Sequence, residues 1–438
     1  MPDRFHAPVQ ENKPVIQVAI LILLALLGAP LFSIIGASAI WGFHSEEIDL
    51  QVITVEIYRL AEMPILLAIP LFTFAGYVLG ESQAPSRMVR MADAILGWMP
   101  GGLAIVALIA CALFTAFTGA SGVTIVALGA LLYPALMKAG YPERFNLGLI
   151  TTSGSLGLLF APSLPLILYG VIAQQSALER PVSIDDLFLA GILPGLLMVV
   201  MLSMWSMWKQ PRGQLTTQFD HQKVVAAVKE SIWEIPLPIL ILGGIYGGYF
   251  AVSEAAAVTA VYVLVVEVFI KREIPLGEMP RIIRDSMVLV GAIILILGVS
   301  LASTNYLIDT EVPMQLFESI RAHIDSKWTF LILLNLFLLG LGMMLDIFSA
   351  LIIIVPIILP IAIGYDIHPV HLGIIFLANM QLGYFTPPVG MNLFIASYRF
   401  KKPVMELYLA TLPFFFILLF AVLVITYWPA LSLVFLSR

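Results

Sequence analysis

Thr386-Pro387-Pro388-Val389-Gly390-Met391-Asn392 interrupts an otherwise apolar stretch that runs from residue 370 to residue 398. An unbroken membrane-spanning helix has no place for two consecutive prolines, which remove two backbone donors and bend the chain. Carbonyls freed at bilayer depth must be covered by protein or line a polar cavity. A span broken near mid-membrane is how many secondary carriers bind ions and cargo. The stretch therefore predicts a broken helix within a membrane protein.

Composition agrees. Of the 438 residues, 60% are hydrophobic and 11% are charged, against about 25% charged in soluble domains. The mean hydropathy is +1.00. Several apolar runs exceed the ~20 residues that a bilayer demands, so an all-α polytopic membrane protein in a lipid bilayer is expected. The net charge of -6 is spread over loops and leaves no nucleic-acid footprint. The single cysteine, Cys111, excludes an internal disulfide and cysteine-rich metal sites. Without a Walker A pattern, nothing points to ATP hydrolysis. Arg4 and Lys13 precede an apolar run, and Ala37-Ser38-Ala39 resembles a cleavage site. The run from Val15 to Trp41 is too long for a signal core, so a retained first helix is expected.

Loop charge sets the topology, because basic residues stay on the cytoplasmic side. Lys209, Arg212, Lys223 and Lys229 place 209–230 inside; Lys271, Arg272, Arg281 and Arg284 place 271–285 inside; Arg399, Lys401 and Lys402 place 399–403 inside. Glu46, Glu47, Asp49, Glu56 and Glu62 outnumber Arg59 and place the loop between Trp41 and Met63 outside, like 306–327. Parity then puts 138–144 inside and 364–371 outside.

Those last two loops occupy matching places in two similar stretches. Thr118–Gly170 has a polar tip, an apolar arm ending near Pro134, a Gly140-Tyr141 turn, and a run broken by Gly157 and Pro162. Gly342–Ser397 has a tip at Asp346, an arm ending near Pro360, a Gly364-Tyr365 turn, and a run broken by Gly383 and Pro388. Similar stretches of opposite orientation are the signature of inverted-topology repeats. The arms flanking each tip are either two full spans or a re-entrant hairpin. Two hairpins are favoured, because a bare Asp346 is costly in hydrocarbon and a buried tip beside a broken helix gives it partners. The organisation expected is 1–92 scaffold, 93–173 first transport repeat, 174–327 connecting scaffold, 328–398 second transport repeat and 399–438 C-terminal helix.

The candidate ion- and substrate-binding residues lie at the tips and breaks: Thr118, Gly119, Ser121, Thr124, Ser153, Ser155, Pro162 and Ser163 from the first repeat; Asp346, Asn379, Thr386, Pro387, Gly390 and Asn392 from the second. Gln381 lies beside them. Sodium takes oxygen ligands, and hydroxyls, amides and unwound carbonyls supply them, with charge from Asp346; Thr118, Ser121, Asp346 and Thr386 are the expected sodium set. Half-helix N-termini suit a carboxylate. Against this, small and hydroxyl residues also line ordinary helix contacts, and Asp346 also reads as the cap of a helix starting at Ile347. Ser253-Glu254 reads as an N-cap with a favourable acid, and Glu267 as an interfacial charge near Lys271. An intramembrane enzyme would need a second acid or a deep histidine, and neither is visible.

Five stretches together resemble the large membrane subunit, DctM type, of tripartite ATP-independent periplasmic (TRAP) transporters: TGASGVT at 118–124, APSLPLILYG at 161–170, GGIYGGYFAVSEAAAV at 243–258, GMMLD at 342–346 and GYFTPPVGMNLF at 383–394. Thr118, Ala120 and Gly122 depart from the usual serine-rich first tip, and Ala161 and Ser253 stand where proline and threonine are usual. The resemblance implies an elevator-type secondary transporter of the bacterial inner membrane, with no cofactor but sodium as the coupling ion. It also implies a small four-helix membrane subunit, and a periplasmic binding protein delivering an organic acid. A stand-alone dicarboxylate or citrate symporter would show the same residue-level signals.

Overall fold

The computed structural model describes residues 20–21, 23–24, 27–45, 48–175, 182–210 and 220–436. Arg4, Lys13 and the start of the first apolar run lie outside the described residues, as do Glu46, Glu47 and Arg212. Every regular element among the described residues is helical. Among the described residues eight helices are long and apolar enough to cross a bilayer, or nine if the bent pair Glu143–Leu159 and Leu164–Gln175, at 41°, forms one span.

In chain order the helices are α1 (Leu31–Ser45), α2 (Gln51–Ala61), α3 (Ala68–Glu81), α4 (Ala84–Leu96), α5 (Gly102–Thr118), α6 (Ser121–Lys138), α7 (Glu143–Ser153), α8 (Leu164–Gln175), α9 (Ile184–Trp208) and α10 (His221–Glu230). They continue as α11 (Pro236–Tyr246), α12 (Val252–Leu264), α13 (Met279–Asp309), α14 (Val312–Arg321), α15 (Lys327–Met344), α16 (Ile347–Gly364), α17 (Pro369–Gly383), α18 (Met391–Phe400), α19 (Val404–Tyr427) and α20 (Ala430–Leu433). A short 3-10 turn, Leu156–Leu159, stands between α7 and α8.

The chain separates by contact into a smaller unit, 1–62 with 292–312, and a larger one, 63–291 with 313–438. In the smaller unit Ala39, Phe43 and Ala302 form the core, with Ile48, Val52, Ile53 and Tyr306 packed on it. The Phe43 and Tyr306 rings meet edge to face at 5.7 Å. Both repeats lie in the larger unit. So does the C-terminal helix α19, which packs on α7, α9, α17 and α18.

Polar contacts in the larger unit join loops that charge assigns to one side. Lys402 meets Glu143 at 2.8 Å, joining two loops read as inside; Arg90 meets Glu230 and Arg281 meets Glu81, bringing 81–90 to two further loops read as inside. Lys327 donates to the Asp366 carbonyl and Tyr365 to that of Ile324, joining the two outside loops. Glu267 departs from its expected place as an interfacial charge. It is 1% exposed and 3.3 Å from Arg87, which also meets Glu234 and Glu273. The partner that draws it inward stands 180 residues earlier. Glu254 does carry the capping contact, accepting from Ala251 N–H, but the helix begins at Val252, so Ser253 is inside it and is not the cap.

Candidate functional site: two hairpin tips against two broken spans

The two similar stretches match at a constant offset of 226 residues: α5 and α15 end at Thr118 and Met344 (344 − 118), α6 and α16 end at Lys138 and Gly364 (364 − 138), and α7 and α17 begin at Glu143 and Pro369 (369 − 143). The breaks obey the same register, with cis peptide bonds at Ala161–Pro162 and Pro387–Pro388. So does a close approach of backbones. A Cβ on Gly157 would lie 2.4 Å from Ala116 N, and one on Gly383 would lie 2.3 Å from Gly342 C; positions 116 and 342 again differ by 226 (342 − 116). Only glycine lets each broken span press on the first arm of its own hairpin. The halves after the breaks cross over: α8 packs on α16, and α18 packs on α6.

Each tip meets a break. Gly119, at φ +65°, ends α5, and a Cβ there would strike the Leu164 side chain at 2.4 Å, just past the first break. At the second tip the Met343 carbonyl accepts from the N–H groups of Val389 and Gly390, at 3.2 and 3.0 Å. Tyr384 Oη accepts from Ile347 N–H at 2.8 Å.

A broken helix leaves carbonyls without their usual donors, and each must find another. Many of the candidate residues do this work. Asn392 Nδ2 donates to the Thr151 carbonyl at 3.2 Å, so a residue of the second break covers a carbonyl of the first. Ser163 Oγ covers Leu158 O at 2.5 Å. Thr386 Oγ1 bonds Leu382 O at 2.7 Å, and the backbone N–H of Asn392 covers Tyr384 O at 2.8 Å. Thr115 Oγ1, which the sequence reading passed over, bonds Gly154 O at 2.9 Å and Thr124 Oγ1 at 2.7 Å, tying both hairpin arms to the break. Its spacing of three residues from Thr118 was the available signal. Thr118 and Ser153 bond carbonyls of their own helices, and Ser155, just past α7, bonds Thr152 O of that helix. Ser121 is buried as the first residue of α6.

Asp346 is the N-cap of α16, accepting from Phe348 and Ser349 N–H at 3.0 Å each and from Ser349 Oγ. Its counterpart, Ala120, leaves α6 with no side-chain cap. Asn379 stands apart from the tips. It donates to Asn335 Oδ1 at 2.6 Å and to Ile375 O, while Thr426 donates to the same Asn335 oxygen at 3.1 Å. This buried clamp joins α15, α17 and α19. Asn335, a lone amide in an apolar run, was its visible half. His371, expected in a loop, is buried between Ser432 Oγ and the Thr426 carbonyl. Among the described residues no group of three or more His, Cys, Asp or Glu side chains is arranged to hold a metal ion.

Comparison with known proteins fits this architecture. Residues 18–431 match the family model of the tripartite ATP-independent periplasmic transporter, DctM component. The C4-dicarboxylate TRAP transporter large permease protein DctM of Rhodobacter capsulatus is 32% identical over 425 residues, 94% of this chain and 96% of that protein. The ectoine/5-hydroxyectoine TRAP transporter large permease protein UehC of Ruegeria pomeroyi is 30% identical, covering 94% and 96%. The Alcanivorax borkumensis YdaH transporter shares the fold, with TM-score 0.65 at 13% identity, over 94% of this chain and 98% of that one. With eight or nine apolar spans among its described residues and the match across nearly its whole length, this multi-pass membrane protein belongs to the DctM family of large permease subunits of TRAP transporters.

Proposed function

We infer that the chain imports an organic acid by a sodium-coupled elevator mechanism. The observation that carries this reading is the pairing of tips with breaks. A tip that bonds the broken part of a span lies part-way along that span, as a re-entrant hairpin does. Hairpins, breaks and α19 would then form the moving body.

The tips offer different chemistry. The uncapped start of α6 presents N–H groups and the positive end of a helix to a carboxylate. At the second tip, Asp346, Ser349 and nearby carbonyls offer oxygen to a cation. Sodium beside Asp346, with Thr118, Ser121 and Thr386 as further candidate ligands, would offset charge on an acid that finds no Lys or Arg inside the apolar runs. The Rhodobacter relative, named for C4-dicarboxylates, supports an acidic cargo; the Ruegeria relative is named for ectoine and 5-hydroxyectoine. A small four-helix membrane subunit would complete the scaffold, and a periplasmic binding protein would deliver the acid at the bacterial inner membrane.

The test is reconstitution into proteoliposomes with the small subunit, and uptake of labelled dicarboxylates with the binding protein present or omitted. Uptake only in its presence is the expected result. Equal uptake without it moves the chain to the stand-alone symporters and ends the tripartite reading.

A further inference from the structure

Away from the tips and breaks, the larger unit buries a cluster of charge. Arg87 of α4 is 4% exposed. Its guanidinium donates through Nε to Glu234 Oε1 at 2.6 Å, through Nη1 to Glu273 Oε1, and through Nη2 to both oxygens of Glu267 at 3.3 Å. Lys271 Nζ adds a bond to the same Glu234 oxygen at 3.0 Å. Three carboxyl groups thus meet two cations, and a fully ionised cluster would carry one uncompensated negative charge. Glu267 is 1% exposed and Glu234 is 7% exposed, so water does little to offset it, and an unpaired buried charge is expensive.

The surrounding elements supply no further cation. Arg90 of α4 is taken by Glu230, and Arg281 of α13 by Glu81 of α3. Tyr77 of α3 lies toward Asp285. Tyr262 of α12 donates to the Trp233 carbonyl at 2.9 Å. Arg272, Lys223 and Lys229 are exposed. Among the described residues no set of acids is arranged for a metal ion. A proton is what remains to balance the cluster.

The bonds indicate which carboxyl carries it. Glu273 accepts at both oxygens, from Arg87 and from Gln83 N–H at 2.7 Å. Burial pushes its carboxyl up, but those two bonds hold it below the usual carboxylate range. Glu234 Oε1 accepts from two cations, so that carboxyl is also ionised. Glu267 has only two long bonds to one nitrogen and is the most buried of the three. Acceptors for its proton stand ready. The Glu273 carboxyl is within hydrogen-bonding reach, and Glu234 Oε2 is buried with no partner.

We propose that Glu267 holds a proton at neutral pH, shared with Glu273 and Glu234, and that this proton completes the clamp by which Arg87 fastens α4 to the segments flanking α11 and α13. Through residues 97–101, α4 leads into α5, the first arm of the first hairpin, so the clamp fixes the base of that hairpin. As pH rises the proton passes to water, the carboxylate left behind has no cation of its own, and the hold on α4 weakens. The inference is independent of the cargo and of the coupling ion.

The experiment uses the full chain purified with its small membrane subunit. Infrared difference spectra at neutral pH between wild type and Glu267→Gln should show the loss of one carboxylic-acid C=O band. Glu230→Gln, whose carboxyl is half-exposed, should lose none. In thermal unfolding at neutral pH, Glu267→Gln should match wild type, since an amide replaces a neutral acid. Glu273→Gln should unfold at least about 3 °C earlier, since a buried arginine loses an ionised partner. A carboxyl protonated in the fold contributes fully below its unfolded value, about 4.3, and loses that contribution as pH rises through its folded value. Wild type should therefore lose stability relative to Glu267→Gln as pH rises from acid through neutral. The absence of the acid band overturns the proposal, as does a gap between the two proteins that stays constant with pH. So does a Glu267→Gln variant that fails to fold or unfolds as early as Glu273→Gln.

Discussion

The first and second repeats share a backbone and differ in chemistry. At the constant offset of 226 residues (346 − 120, 386 − 160, 392 − 166), Ala120, Phe160 and Leu166 of the first repeat correspond to Asp346, Thr386 and Asn392 of the second. The breaks, the close glycine contacts and the crossed packing recur in both. One architecture is thus built twice, and at these three positions the carboxylate, hydroxyl and amide stand in one copy alone. The other copy keeps a bare helix start at its tip. Cation and acid need not share identical sites in such a molecule.

The shared part of the comparison predicts the largest effect. Gly157→Ala and Gly383→Ala each drive a methyl group into backbone and should each cost about 3 kcal/mol, the upper end for overpacking. Folded yield and thermal unfolding should fall alike in both variants. A repeat that tolerates alanine would break the structural equivalence. Next comes the link between the repeats. Asn392→Leu puts the first repeat's residue into the second and leaves Thr151 O uncovered, which should cost ~1–3 kcal/mol. An unchanged unfolding temperature would refute its role as a cover for the first break.

Asp346 sharpens the comparison further. Asp346→Ala removes a cap worth ~1 kcal/mol, whereas Asp346→Ser keeps a capping oxygen. Serine should restore the unfolding temperature but not sodium-driven uptake. If serine restores both, the carboxylate serves the helix alone. The smallest effect lies outside the repeats. The half-exposed Glu230 carboxyl is held below its usual range, chiefly by its hydrogen bond to Arg90. Such pairs contribute ~0.2–1 kcal/mol. A depressed carboxylate contributes fully above its unfolded range and loses that contribution as pH falls through its folded value. Glu230→Gln should therefore unfold slightly earlier than wild type at neutral pH and match it in acid. A difference that widens in acid would contradict the pairing.

The sequence showed the breaks and their spacing because proline and glycine act on their own backbone, where a single residue type has a local consequence. Loop charge showed which loops come together for a similarly simple reason. The partners of individual polar groups were hidden. Asn379 was grouped with the ion ligands because its distance along the chain from Thr386 is short, yet its amide is taken by Asn335, 44 residues away. Ser163 and Thr386 belong to the breaks as read, but the Ser163 hydroxyl covers Leu158 O, which only the folded backbone reveals as free, and that of Thr386 adds to Leu382 O, which already accepts from Phe385 N–H. Glu267 looked interfacial because Arg87 belongs to a helix far upstream. The boundary at 62/63 was likewise illegible, since it depends on which helices pack together and not on composition.

The central claim is ion-coupled import through the paired tips and breaks. Its most direct test is uptake of a labelled dicarboxylate into proteoliposomes holding this chain, its small membrane subunit and loaded binding protein. An inward sodium gradient is compared with choline at equal osmolarity and no ATP. Concentrative uptake that collapses when the sodium gradient is dissipated is the predicted result. Uptake that proceeds equally in choline would contradict the account.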